Sequence, residues 1–267
     1  MSRISDDLEI YTGLVRSFEW YWDENDEMPG LDVFNDLNDD DKAAVMASLE
    51  HWGDLELEKR VSETRINEEC AEPKILAVKG GKHRFAMFHA GNNVWIVCDY
   101  YRKQKEKLVN WVRPRSSERL RRSRFTRDEF RLEDTMNAIE AREARRSKGK
   151  RNLSQRLRDN PEMAARTDAY LDDLRLEQQF LDAMQEEHIS AAELARRTNR
   201  KPAAISRDLG GGLSDAKLGR VREMAAAFGY DVVAVLVPKD PKRREEVVGC
   251  TAEGWVIKKP GVMQGVR

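Results

Sequence analysis

The sequence predicts two unlike halves: an α+β N-terminal domain, with an antiparallel sheet packed on helices, and an all-α C-terminal domain with a short terminal strand. Three observations predict it. Residues 73–103 hold three short apolar runs separated by glycine- and asparagine-rich turns. Residues 161–230 carry apolar side chains at helical spacing, and an apolar β-branched run follows them. The charge also changes sign along the chain. Residues 1–72 carry 21 Asp and Glu against 6 Lys and Arg, residues 79–158 carry 23 basic against 9 acidic groups, and residues 159–267 are near balance at 17 and 18. The expected division is 1–125 for the α+β domain, 126–160 for a charged linker, 161–238 for the helical domain and 239–267 for a tail.

In chain order, Ile10, Leu14, Phe18 and Tyr21 recur at spacings of three and four and predict a first helix. Pro29-Gly30 breaks it. Val33, Phe34, Leu37, Ala44, Val45, Leu49 and Trp52 predict further helix, with Asn38 or Asp39 as its cap and Gly53 as its end. Ile75–Val78, Arg84–Phe88 and Val94–Tyr101 are then three strands joined by tight turns at Gly80-Gly81 and at Gly91-Asn92-Asn93. Such a meander is stable only with a helix on one face, and residues 1–60 can supply it. Residues 117–125 read as a short basic helix, and 126–158 as a partly helical, accessible linker. Asn160-Pro161 starts the next helix, with Leu171, Leu174, Phe180, Leu181 and Met184 as its apolar stripe. Asp231–Pro238 is predicted as a strand, and Val256-Ile257 as another short one.

Composition excludes several classes. With 40% hydrophobic residues the chain can build real cores, and no run of about 20 apolar residues is long enough to cross a membrane. The N-terminus has no apolar region of the secretory kind. The three cysteines are scattered and no zinc-type spacing occurs, so neither a disulfide framework nor a metal nor a cofactor is expected, and a reduced cytoplasm fits. An acidic block before a basic one points to an anionic partner for the second; mutual salt bridging in a solvated shell fits the same counts.

The sharpest motif begins at Ile189. Ser190-Ala191-Ala192-Glu193 is a capping-box pattern. The helix it opens turns Leu194 and Ala195 inward. Asn199 follows at a position suited to the left-handed conformation. Pro202 starts a second helix with Ile205 and Leu209 inward, and Gly210-Gly211-Gly212 ends it. The outer face of that second helix is polar and small: Arg200, Lys201 and Arg207 can meet phosphates or guanine edges, Ser206 a base or a phosphate, and Ala203 leaves room for close approach. An ordinary helical hairpin with a surface arginine fits the shortest stretch alone. The whole run, continuing through Leu218, Val221, Met224, Ala225, Phe228 and Gly229, resembles the XRE, or phage-repressor-like, helix-turn-helix family, with Asn199 in place of the commoner turn glycine. The resemblance implies a homodimer on a two-fold operator DNA and a salt-sensitive phosphate contribution to binding.

In the first half, Glu63-Thr64-Arg65, the Lys74–Lys79 strand, His83-Arg84-Phe85 and Tyr100-Tyr101-Arg102-Lys103-Gln104-Lys105 come in an order similar to that of the RelE/HigB toxins. Thr64, the long gap from Arg65 to Arg84 and the single Lys103 depart from that pattern. The resemblance implies a metal-independent endoribonuclease acting on mRNA, mostly in the ribosome. Fixed cations would stabilise charge at phosphorus and a nearby side chain would move protons. Carried over by motif, Arg84 is the phosphate clamp, Lys79 and Lys82 flank it, and Lys103 and Lys105 follow the last strand. Tyr101 stacks or transfers a proton, with Tyr100 as the alternate if the pleat runs the other way. Each also has an ordinary reading: solubilised hairpin for the lysines, pairing with the acidic block for Arg84, sheet packing for Tyr101. His83 and His89 fall on the same sheet.

Together the two resemblances imply a fused toxin–antitoxin chain in the HigB–HigA order, with a DNA-binding repressor restraining the ribonuclease half by its high local concentration. The alternative is a transcription regulator whose RelE-like domain has lost catalysis and serves dimerisation or sensing.

Overall fold

The computed structural model describes residues 8–21, 27–59, 61, 65–71, 74–102, 149, 151–213, 215–234, 236, 238, 248–251 and 254–257. Among them the fold is mixed α/β, with a six-stranded sheet and seven helices. Strands β1 (Glu9–Thr12) and β2 (Ser17–Trp20) come first, then helices α1 (Pro29–Asn35) and α2 (Asp39–Asp54). Strands β3 (Ile66–Ala71), β4 (Lys74–Gly80), β5 (His83–Gly91) and β6 (Val94–Arg102) complete the sheet. Its order is β1-β2-β6-β5-β4-β3. Every neighbouring pair is antiparallel except β2 and β6, which run parallel.

The β4–β5–β6 meander is the one the turn residues predict. Gly81, at φ 54, leads into the turn between β4 and β5. Asn92 and Asn93 take φ 48 and 57, the two positive values that a tight hairpin turn of matching twist requires. Both faces of the central strands are buried. Phe85 and Met87 face the main core, while Ala86 and Phe88 join Ile75 and Cys98 in a second apolar cluster. That explains why these strands read as nearly continuous apolar runs.

The expected helix over Ile10–Tyr21 is corrected to the β1–β2 hairpin. Its three-and-four spacing was coincidence: Leu14 stands 74% exposed in the turn, while Ile10, Phe18 and Trp20 are buried. The β-branched and aromatic residues here gain more from pairing with β6, whose Val94–Val97 register against Ser17–Trp20.

Helix α2 behaves as read. Asn38 caps it by accepting from the Asp41 amide, and Asp39, Asp40 and Asp41 lie in the first turn, where the helix dipole favours them. It runs through Gly53 to Asp54, one residue past the expected end, and only glycine fits at 53, where a side chain would strike the Tyr11 ring. The bare backbone lets the Val15 and Arg16 amides reach the Gly53 carbonyl, both at 2.9 Å. The main core lies between the sheet and α1–α2, built on Phe18, Trp20, Phe34, Met46, Leu49 and Phe85. Each such side chain contributes about 1.5–3 kcal/mol by burial.

The second half begins with α3 (Leu153–Leu157), which covers the end of the expected linker. Leu153 enters the main core. Ser154 Oγ and Arg158 Nη2 bond the buried Glu50 carboxylate at 2.5 and 2.6 Å. Helix α4 (Pro161–Glu186) starts at Pro161 with Asn160 accepting from the Glu162 and Met163 amides. Leu171 and Leu174 pack on Ala47 of α2. One to three turns later, Phe180 and Ala183 belong to a separate cluster with Ile189, Leu194, Ile205, Leu209, Val221 and Phe228. One helix thus enters two cores.

Helices α5 (Ala191–Arg197) and α6 (Pro202–Arg207), a wide π-type turn at Asp208–Gly212 and α7 (Leu218–Ala226) enclose that helical cluster. The strand expected over Asp231–Pro238 is corrected. Residues 231–234 form no regular structure, and Val233 and Leu236 are 75% and 97% exposed. A strand needs a ladder partner, and no described strand pairs with this run. The described end of the chain is instead a hairpin of β7 (Val248–Thr251) and β8 (Gly254–Ile257), the latter containing the expected Val256-Ile257.

Candidate nucleic-acid interface

The α5–α6 pair is built by local chemistry. Ser190 Oγ accepts from the Glu193 amide at 3.1 Å and opens α5. The Glu193 carboxylate is taken by Arg197 and Arg196, whose charge-assisted bonds hold it below the usual carboxylate range. Thr198 closes the helix by donating to the Leu194 carbonyl at 2.8 Å. Asn199 then takes φ 51, and the Arg200 amide returns to the Ala195 carbonyl at 2.8 Å. Ala195 is 2% exposed, small enough for the helices to approach there. Pro202 opens α6, which turns Ile205 fully inward.

The outward face of α6 and its approach hold Lys201, Ala203, Ser206 and Arg207, all exposed. Four of the five residues expected to meet DNA therefore share one accessible face. Arg200 does not join them. Its Nη1 donates to Asp208 at 3.0 Å, and Arg220 of α7 donates to the other oxygen of the same carboxylate at 2.9 Å. Asp208 is 3% exposed. The triad ties the turn before α6 to the residue after it and to α7. Sequence reasoning missed Asp208 and Arg220; an acidic residue directly after Arg207 in an otherwise basic and small stretch was the available signal.

The residues expected on the sheet divide differently. Lys79, Arg84 and Tyr101 stand in one cross-strand row, with Lys79 opposite Arg84 and Arg84 opposite Tyr101. Lys82 is exposed in the adjoining turn. Lys103 and Lys105 lie outside the described residues, as does the basic segment 117–125. Arg84 is only 9% exposed, and its Nη1 donates to the Gly81 and His83 carbonyls at 2.9 and 2.7 Å. A guanidinium so held braces the hairpin from within.

On the opposite face, Tyr100 registers against Phe85. His83 links two elements there. Its Nδ1 lies 2.8 Å from the Tyr100 hydroxyl and its Nε2 lies 3.2 Å from Asp41 Oδ2 at the start of α2. The rings of His83 and Tyr100 stack at 5.6 Å. This Asp41–His83–Tyr100 chain pins the hairpin to the helix; Asp41, distant in sequence, gave no sign of it. His89 packs on Trp95. No group of three or more His, Cys, Asp or Glu among the described residues is arranged to hold a metal, and no helix among them is long and apolar enough to cross a membrane.

No protein-family model matches this chain, nor does any curated protein or solved structure.

Proposed function

We propose that the protein is a sequence-specific DNA-binding regulator, in which residues 189–229 form a helix-turn-helix unit and the α+β half serves regulation rather than catalysis. The exposure of Lys201, Ala203, Ser206 and Arg207 on one side of α6, with Ile205 buried on the other, carries this reading. A helix so presented fits the major groove, where Arg207 can take guanine or phosphate and Ser206 a second contact. Binding is as a homodimer on an inverted repeat, because two copies of one module read two half-sites.

Between the two functions that the family resemblances imply, the burial of Arg84 favours the regulator over a toxin. A phosphate clamp needs its guanidinium at the surface, whereas here it is bonded to two carbonyls of its own hairpin.

The test uses the full-length protein with the duplex immediately upstream of its own coding sequence and a random duplex of equal length. The upstream duplex binds more tightly, and log affinity for both falls with log salt. Arg207→Ala weakens the upstream complex by about 1–3 kcal/mol and leaves the random one nearly unchanged. An equal loss on both makes Arg207 a phosphate contact. No binding to either duplex at low salt overturns the proposal.

A further inference from the structure

The exit of α6 is a glycine-rich piece of backbone that passes beside a side chain from the edge of the sheet. Within the π-type turn at Asp208–Gly212, Gly210 and Gly211 leave helical geometry, with φ/ψ of −107/34° and 105/4°. Three successive glycines offer little resistance to bending. Against Gly211 lie Arg65 and Glu177: a Cβ built there would meet Arg65 Nη2 at 3.4 Å and Glu177 Oε1 at 3.6 Å. Those two atoms are themselves 3.3 Å apart.

The two partners come from elements that the rest of the fold fixes. The carbonyl of Arg65 accepts from the Lys79 amide at 2.9 Å, so its backbone extends the β3–β4 ladder. Glu177 lies on α4 between Leu174, which packs on α2, and Phe180, which enters the helical cluster around Leu194 and Ile205. Glu177 is 2% exposed. Arg65 Nε and Glu177 Oε2 have no hydrogen-bond partner among the described residues. A buried pair satisfied only in part is a poor source of stability, since desolvation offsets most of the attraction. Its place is what matters: the pair lies where the wide turn, the β3–β4 edge and α4 come together.

We propose that Arg65 and Glu177 are positioning residues for α6, and that through them the sheet sets the angle at which α6 meets DNA. This rests on the DNA-binding reading above. Lys201, a long side chain at the start of α6, keeps its phosphate reach through small changes of tilt, whereas base edges, the one Arg207 reads among them, are met only in register, so the pair governs discrimination more than gross affinity. The coupling runs both ways: whatever shifts the β3–β4 edge alters DNA preference, and DNA binding shifts that edge.

Full-length Arg65→Gln/Glu177→Gln, which removes both charges together, is compared with wild type on the upstream and random duplexes. The expected result is a cooperatively melting protein whose random-duplex affinity and salt slope match wild type, while its preference for the upstream duplex falls by about tenfold. Arg65→Lys keeps the charge and loses the planar fork; it lowers the preference by a smaller factor. Wild-type preference in both folded variants overturns the proposal, and so does an equal loss on the two duplexes. Should the double variant fail to melt cooperatively, Arg65→Lys decides alone by the same two outcomes. If the wild-type chain itself shows no preference between the duplexes, the DNA-reading premise is what fails.

Discussion

His51 is a side chain whose charge the fold opposes. It sits on α2, with Nε2 3.4 Å from Gln178 Oε1 of α4. Burial pushes its pKa down, with Arg175 acting the same way, against weaker opposing effects of Gln178, Asp54 and Asp182. Below the ordinary value near 6.5 the unfolded chain takes a proton that the native chain resists. The stability this contributes is complete above pH 6.5 and is lost as pH falls below it. Thermal unfolding followed against pH should show that loss, and His51→Gln should flatten the curve in that window; an unchanged slope would refute the assignment. Glu50 sets a second residue-scale expectation. Its buried carboxylate accepts from both Ser154 and Arg158. Glu50→Ala removes the acceptor of the Ser154 hydroxyl and one of the two carboxylates that hold Arg158, Asp168 remaining at 2.8 Å, and should lower unfolding free energy by about 1–3 kcal/mol in denaturant titration, with Glu50→Gln less harmful.

At the scale of single elements, the β4–β5 turn is the most tightly specified. Gly81 combines φ 54 with a carbonyl that takes Arg84 and no room for a Cβ, which would strike the Asp41 carboxylate. Gly81→Ala should therefore destabilise by about 1–2 kcal/mol in thermal or chemical unfolding. The turn itself was legible, because glycine and asparagine take positive φ more readily than other residues and here stand between two apolar runs. So were the caps at Asn38, Asn160 and Ser190 and the left-handed Asn199, all local events decided within four residues. The β1–β2 hairpin was not legible: four-residue strands leave too few positions to tell a period of two from one of 3.6. Nor were the fates of Arg84 and Arg200. A cation's sequence neighbours do not reveal whether carbonyls or a buried aspartate will claim it, since that is settled by strand register and helix packing.

Over the whole molecule, the two halves are joined by more than chain connectivity. Arg166–Asp40, Arg158–Glu50, Lys59–Asp182 and Arg65–Glu177 all span them. Leu153 completes the main core, and Leu171 and Leu174 cover Ala47. A fragment of residues 1–125 lacks these covers, so it should melt well below a fragment of residues 1–186, measured side by side by circular dichroism; equal midpoints would show that α3 and α4 are dispensable to the sheet. The passage of α4 from the Ala47 cluster on α2 into the helical core of the second half has a rotational consequence. Each residue inserted between Leu174 and Phe180 would swing one half about the helix axis by about 100° and advance it by about 1.5 Å. The halves are geared, and only insertions near whole turns, such as about seven residues, would return α6 to its original bearing on the sheet.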